Sequence, residues 1–380
     1  MSTFIPGTPV TGHNFPSLAK GDHVVVVGAG AFGGWTSLYL RRRGCKVTLI
    51  DAWGPGHARG TSGDETRVIR TAYGSNEFYF NMAFKAIQLW KEYEKLWNRK
   101  LFYTNGVLWF CYENHVPLVD DSQRLATAMG RPYEYLSISE LKKRVPVADV
   151  SGLTHAWLDR DGGYLKARES CRLVAEMFVR DGGEYIQSRA LPGDIRYGAM
   201  ESLQLSDGSV LHADAYVFAC GAWLPKVFPE ILGQKITVTK QEVFYLSPPA
   251  GDAASYEEIP AWIDADGTDY YYGIPGNMHR GFKVGLDRRG PVFDPETGDR
   301  FPSTEIFSGI RKFLAKRFPS LQHAPLTESR VCAYESTADG NFIFEPHPEA
   351  RNVVLLGGGS GHGFKHGPAL GEWVTQTLLH

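Results

Sequence analysis

Gly28, Gly30 and Gly33 are spaced as GxGxxG, directly after the run His23-Val24-Val25-Val26-Val27. This is dinucleotide chemistry. The first glycine permits a tight turn, the second lets a pyrophosphate approach the backbone, and the third lets the following helix pack on the strand. The start of that helix offers unpaired N–H groups and a positive dipole end to phosphates. Asp51 closes the next strand-like run, Lys46-Val47-Thr48-Leu49-Ile50-Asp51, where a carboxylate accepts hydrogen bonds from a ribose. The motif alone does not separate FAD from NAD. A second glycine-rich run, Gly357-Gly358-Gly359-Ser360-Gly361-His362-Gly363, follows Val353-Val354-Leu355-Leu356. His362 and His366 have i,i+4 spacing, but the glycines argue against a helical metal site, and no metal is expected. The five cysteines, Cys45, Cys111, Cys171, Cys220 and Cys332, show neither CxxC nor zinc-type spacing. A disulfide framework is excluded and a reducing compartment is the expectation.

These residues need scaffolding. The 380 residues suggest two domains, or one domain with a large insertion. Hydrophobic residues at 43% suffice for a core and exclude global disorder. Net charge is −2 and no basic stripe stands out, so nucleic acid is not an expected partner. Glycine is in excess, at 42 residues, which suggests tight turns and backbone approaching a ligand. No run is long and apolar enough to span a membrane, and no signal peptide is evident, so a cytoplasmic location is expected.

Residues 1–21 read as a flexible leader. The pattern then gives strand, turn, helix and strand to Asp51. Amphipathic helices are expected at about 77–97 and 167–180, and a buried strand ending in glycine over 215–223. Between about 235 and 290 the pieces look antiparallel, with Tyr272 and Lys283 on a hairpin turning at 276–280. Parallel-type strands at the start, middle and end imply an α/β (α+β) fold. A Rossmann-like dinucleotide domain would be assembled from 22–85, 150–232 and 325–380. A mixed or antiparallel-sheet substrate domain would comprise 86–149 and 233–324.

Four separated motifs carry a resemblance. Gly358-Gly359-Ser360-Gly361-His362-Gly363-Phe364-Lys365, Gly63-Asp64-Glu65-Thr66-Arg67-Val68-Ile69-Arg70 with Tyr73-Gly74, Cys332-Ala333-Tyr334, and the Tyr272–Lys283 hairpin occur in that family's order. Together they resemble the monomeric sarcosine oxidase-like family, within the D-amino acid oxidase superfamily of flavoproteins. The resemblance runs from about Val24 to Leu379 and selects FAD as the cofactor. It implies that Gly28, Gly30, Gly33 and Asp51 hold the ADP part, with Gly359, Gly361, Gly363, Lys365 and Arg67 near the flavin. It further implies that Cys332 carries the flavin covalently. By the same resemblance Arg70 and Lys365 clamp a substrate carboxylate, Lys283 activates O2, Tyr272 and Tyr334 line the pocket, and His362 lies beside the ring. The clamp is sound chemistry: Arg offers a planar fork and Lys a point charge. Both lie in glycine-rich loops rather than on amphipathic faces, and Lys283 interrupts an apolar strand.

Asp287 departs from the pattern, standing where sarcosine oxidase has a histidine. It places negative charge near a bound amine. The implied activity is FAD-dependent oxidation of a carboxylate-bearing amine, a free or an N-methylated amino acid, with O2 reduced to H2O2. The substrates are small molecules and O2. A dehydrogenase using another electron acceptor, a flavin-binding protein without turnover and a nicotinamide-dependent enzyme are the alternatives.

Overall fold

The computed structural model describes residues 15–266 and 268–379. The first fourteen residues of the expected leader lie outside the described residues. Its remainder is packed rather than free: Leu18 is buried, its N–H donates to the Leu378 carbonyl at 2.7 Å, and Phe15 stacks on Phe344.

A six-stranded sheet runs in the order Ile343–Pro346, Val353–Gly357, Ala215–Phe218, His23–Val27, Lys46–Asp51, Glu184–Gln187. All neighbours are parallel except the first pair. The central strands are β-branched and apolar because both faces are covered. Ala31–Arg42, Ala167–Arg180 and Gly367–Leu378 pack on one side. Gly34 and Gly371 allow this close approach, since a Cβ on Gly371 would lie 2.8 Å from the Trp35 backbone. Four parallel strands therefore end at one edge and deliver Gly28, Asp51, Ala219–Gly221 and Gly357–Gly363 to one place. The carboxyl edge is where open parallel sheets bind ligands.

The second sheet has eight strands, in the order Leu326–Ser336, Thr237–Leu246, Phe282–Leu286, Tyr270–Ile274, Ala261–Ala265, Val107–Cys111, His155–Asp159, Glu134–Ser137. Ala261–Ala265 and Val107–Cys111 run parallel, and the other pairs are antiparallel. Side chains alternate between the faces of a strand, and the register aligns that alternation across the sheet. Phe244, Phe282, Val284, Trp262, Leu108 and Phe110 face the helix Thr304–Arg317, burying Ile310, Phe313 and Leu314. The opposite parity forms one row, Val243–Gly285–Tyr272–Ile263–Trp109, on the other face.

The segment limits expected from sequence differ from these sheets. His155–Asp159 and Leu326–Ser336 both join the eight-stranded sheet, although 150–232 and 325–380 read as dinucleotide-binding. Glu77–Trp97 is one unbroken helix across the expected limit at 85, and its Trp90 packs edge-on against Trp35 at 5.2 Å. Long-range strand pairing and helix docking set these limits, and local patterning does not encode them.

Candidate active site

The two sheets enclose a cavity of about 730 Å³. Both glycine loops line it, as do Asp51, Arg67, Arg70, Tyr272, Lys283, Asp287, Cys332, Tyr334, His362 and Lys365. The structure thus brings the sequence-predicted site residues together from four distant segments.

The dinucleotide end is shaped by absent side chains. Gly28 has φ +110°, and a Cβ there would sit 2.2 Å from the Ala219 carbonyl oxygen. A Cβ on Gly33 would sit 1.9 Å from the Gly28 carbonyl oxygen. Asp51 braces this turn. Its Oδ2 accepts from Ala29 N at 2.8 Å, and its Oδ1 accepts from Trp53 N and Gly54 N at 2.9 Å. Asp51 is therefore partly occupied by the backbone, beyond any hydrogen bond to a ribose. On the second loop Gly361 has φ +80°, and a Cβ would meet the Tyr334 ring at 2.7 Å. On Gly363 it would meet Phe32 at 2.8 Å. These cradles fit an FAD: they leave backbone exposed along one sheet edge and place Arg67 and Cys332 at its far end.

Around Lys283 lies a buried charge network that sequence reading missed. Lys283 and Asp64 are each 1% exposed. The lysine Nζ donates to Asp64 Oδ2 at 2.5 Å and to the Thr66 carbonyl at 2.8 Å. The same carboxylate takes Arg67 Nη1 at 2.5 Å and the Tyr245 hydroxyl at 2.8 Å. Burial alone would raise the Asp64 carboxyl, but Lys283 and Arg67 hold it well below the usual carboxylate range. Burial draws the Lys283 ammonium below its ordinary value, with Asp64 opposing and Arg67 assisting. One carboxylate thus serves both Lys283 and Arg67, with Arg330 Nε further off at 3.8 Å from its Oδ1. Arg67 Nη2 lies 3.0 Å from Cys332 Sγ.

At the other end Arg70 and Lys365 meet around Tyr73. The Arg70 guanidinium lies 5.0 Å over the Tyr73 ring and 5.4 Å from that of Trp109, and it donates to the Ala72 carbonyl. Thr71, next in sequence, is pinned by two 2.8 Å hydrogen bonds to Asp159 Oδ2. Lys365 Nζ donates to the Tyr73 hydroxyl and to the His362 carbonyl, each at 2.8 Å. The Trp90 indole N–H donates to the Lys365 carbonyl at 2.9 Å and fixes that turn. His362 Nδ1 lies 3.0 Å from the Tyr73 hydroxyl and Nε2 lies 2.9 Å from the Gly340 carbonyl oxygen. His366 Nε2 reaches the same hydroxyl at 2.7 Å. Burial, reinforced by Lys365, pushes His362 down to about 3, so it is neutral at physiological pH. Tyr73 lies within one of the motifs, but the sequence alone assigns it no role; its position three residues after Arg70 is the available signal.

Asp287 faces the cavity and is exposed only in that sense. Surrounding protein pushes its carboxyl upward, and Arg70 opposes this; Tyr334 donates to its Oδ1 at 3.1 Å. Tyr272 lies flat against its cross-strand neighbour, where a Cβ on Gly285 would meet the ring at 2.7 Å.

Burial, then Arg70, lowers the Lys365 ammonium well below its ordinary value, while Asp287 supports it. A lowered cation is charged only below its lowered pKa. A simple carboxylate such as benzoate should therefore perturb the flavin spectrum, with an affinity that falls as pH rises. Its midpoint should lie below the ordinary lysine value of about 10.4. Titration at several pH values checks this, and in Lys365→Met that dependence should vanish. A spectrum untouched by carboxylates at every pH would favour a binding protein without turnover.

Among the described residues no helix is long and apolar enough to cross a membrane. The profile of the FAD dependent oxidoreductase family matches residues 23–377. A monomeric sarcosine oxidase from Arthrobacter sp. (strain TE1826) is 30% identical over 376 residues, covering 96% of this chain and 94% of that one. An N-methyl-L-tryptophan oxidase from Yersinia pestis (strain Pestoides F) is 26% identical over 357 residues, covering 92% of each chain. Among solved structures, L-proline dehydrogenase from P. horikoshii superposes with a TM-score of 0.82 at 22% identity, covering 94% of this chain and 93% of that one. A thermally stable fructosyl peptide oxidase mutant gives 0.82 at 21% identity, covering 94% and 91%.

Proposed function

Since this chain belongs to the FAD-dependent oxidoreductase family, we propose that it oxidises an N-methylated amino acid, passes the electrons to O2 and releases H2O2. The observation that carries the reading is the division of charge along one cavity. Arg70 and Lys365 form one cationic group in its wall, and Lys283 and Arg67, both held by Asp64, form another. The names of the sarcosine and N-methyltryptophan oxidases favour the N-methyl class over free amino acids.

A bound FAD would supply the acceptor for the electron pair of the substrate C–H bond, the amine lone pair closing a C=N bond that water then hydrolyses. The chain supplies orientation and electrostatics. Arg70 offers its fork and Lys365 its remaining N–H to the substrate carboxylate. Tyr272 and Tyr334 wall the reacting carbon. Asp287 faces the amine, where its raised carboxyl takes the ammonium proton and leaves the neutral amine that oxidation requires. Lys283 holds a fixed cation in a dry site, where it stabilises negative charge developing on O2. Cys332, beside Arg67, carries the flavin covalently. The two cradles support a reading in which Gly28, Gly30, Gly33, Gly359, Gly361 and Gly363 lie along the cofactor.

Peroxide release in air, across matched free and N-methylated amino acids of both hands, tests the reading. N-methyl members should be oxidised faster. Turnover confined to free amino acids would move the assignment to a deaminating oxidase. Flavin bleaching without peroxide would move it to a dehydrogenase. Attachment has its own test: acid precipitation should leave the yellow colour on wild-type protein and release it from Cys332→Ser. Flavin released equally from both would remove the covalent link.

A further inference from the structure

Glu335 has no part in the scheme above, yet it is a buried carboxylate in the wall of the same cavity, 6% exposed. Its Oε1 accepts one long hydrogen bond, from Gly359 N at 3.3 Å. Its Oε2 is fully buried and has no hydrogen-bond partner among the described residues. Gly359 N–H and the nearby Thr61 hydroxyl help to hold the carboxyl down. Burial pushes the carboxyl up to about 7. A buried carboxylate oxygen left in this state is costly and calls for a donor.

Its surroundings specify the donor. Glu335 is three residues beyond Cys332 on the strand Leu326–Ser336. A Cβ on Gly359 would lie 2.9 Å from Glu335 Oε1, and one on Gly221 would lie 3.8 Å from Oε2. Gly221 follows Ala219, whose carbonyl packs on Gly28. The carboxylate therefore lies where the phosphate-binding turn, the second glycine loop and the Cys332 strand converge. An anionic phosphate would be repelled there. The part of the cofactor that joins ring to phosphate is a chain of hydroxyls, each able to donate.

We propose that Glu335 is a cofactor-binding residue whose Oε2 accepts hydrogen bonds from the ribityl hydroxyls of FAD. The assignment rests on the flavin reading of the cavity. A carboxylate accepting a hydroxyl is a charge-assisted bond, so its loss is expected to weaken FAD binding by about ten- to a hundredfold.

The experiment uses the full chain with Cys332→Ser, freed of flavin, and titrates FAD by fluorescence quenching. Glu335→Gln should weaken binding by about tenfold and Glu335→Leu by about a hundredfold. FAD analogues lacking one ribityl hydroxyl supply the second arm. For at least one of them the loss of affinity seen with Glu335 should shrink in Glu335→Gln, because both changes delete the same bond. The melting temperature of the flavin-free protein gives the third. It should rise or hold in Glu335→Gln, since an unpartnered buried charge is removed. Equal losses for every analogue in both proteins, or unchanged FAD affinity in both variants, would overturn the assignment. So would flavin-free protein destabilised by both variants, which would mark a structural carboxylate. A parent that takes up no FAD would instead defeat the flavin reading itself.

Discussion

Replacing Arg70 with leucine is expected to lower kcat/KM for a carboxylate-bearing amine by about a thousandfold, with the flavin spectrum retained. Truncating one partner of a close charge pair costs about 2–5 kcal/mol, and each 1.4 kcal/mol is a factor of about ten. The upper part of that range applies because Lys365 supplies only a point charge and cannot replace the planar fork. Arg70→Lys separates geometry from charge. It restores the cation without the fork and should recover less than a tenth of the lost activity. Steady-state kinetics with an N-methyl amino acid and with an amine lacking the carboxylate reads the result directly. A comparable loss on both substrates would mean that Arg70 organises the loop around Tyr73 and does not bind the carboxylate.

Lys283→Met is expected to slow reaction of the reduced flavin with O2 by about a hundredfold or more, the scale on which removing one preorganised electrostatic group acts. Anaerobic bleaching by substrate should stay within about tenfold of wild type. Stopped-flow measurement of the two half-reactions separates them. The structure adds a condition. Asp64 loses Lys283 in this variant and keeps Arg67 at 2.5 Å, Tyr245 at 2.8 Å and Arg330 at 3.8 Å, so the carboxylate stays partnered and the fold should tolerate the change. Undiminished reoxidation would leave Lys283 as a structural counter-ion to Asp64.

Much of the site was legible because its chemistry is local. GxGxxG after an apolar run states strand, turn and helix within a few residues, and the second glycine loop does the same. Arg70 and Lys365 came from the family resemblance, and their loop positions, without a polar face, agree with it. The partners of these residues were not legible. Asp64 lies beside Arg67 in sequence, yet its meaning depends on Lys283, brought to it by the pairing of Phe282–Leu286 with Thr237–Leu246 and Tyr270–Ile274. Tyr73 matters because three residues near the C-terminus converge on its hydroxyl. Glu335 reads as one more acidic residue at a strand end until Gly359 and Gly221 are seen beside it. Which sheet a strand joins was not legible for the same reason: Leu326–Ser336 pairs with Thr237–Leu246, far from it in sequence.

The eight-stranded sheet separates two demands that proteins often place on the same residues. Along Phe282–Leu286, Phe282 and Val284 secure the packed layer beneath, while Lys283 lines the cavity and Gly285 seats the Tyr272 ring. Val107–Cys111 divides the same way, with Leu108 and Phe110 below and Trp109 above. Selection for a new substrate can therefore act on Trp109, Ile263, Tyr270, Tyr272 and Asp287 while the hydrophobic layer that holds the strands in register goes unchanged. Ligand preference and foldability are inherited here on alternate letters of the same strands, and a fold with that arrangement can change its diet without rebuilding its skeleton.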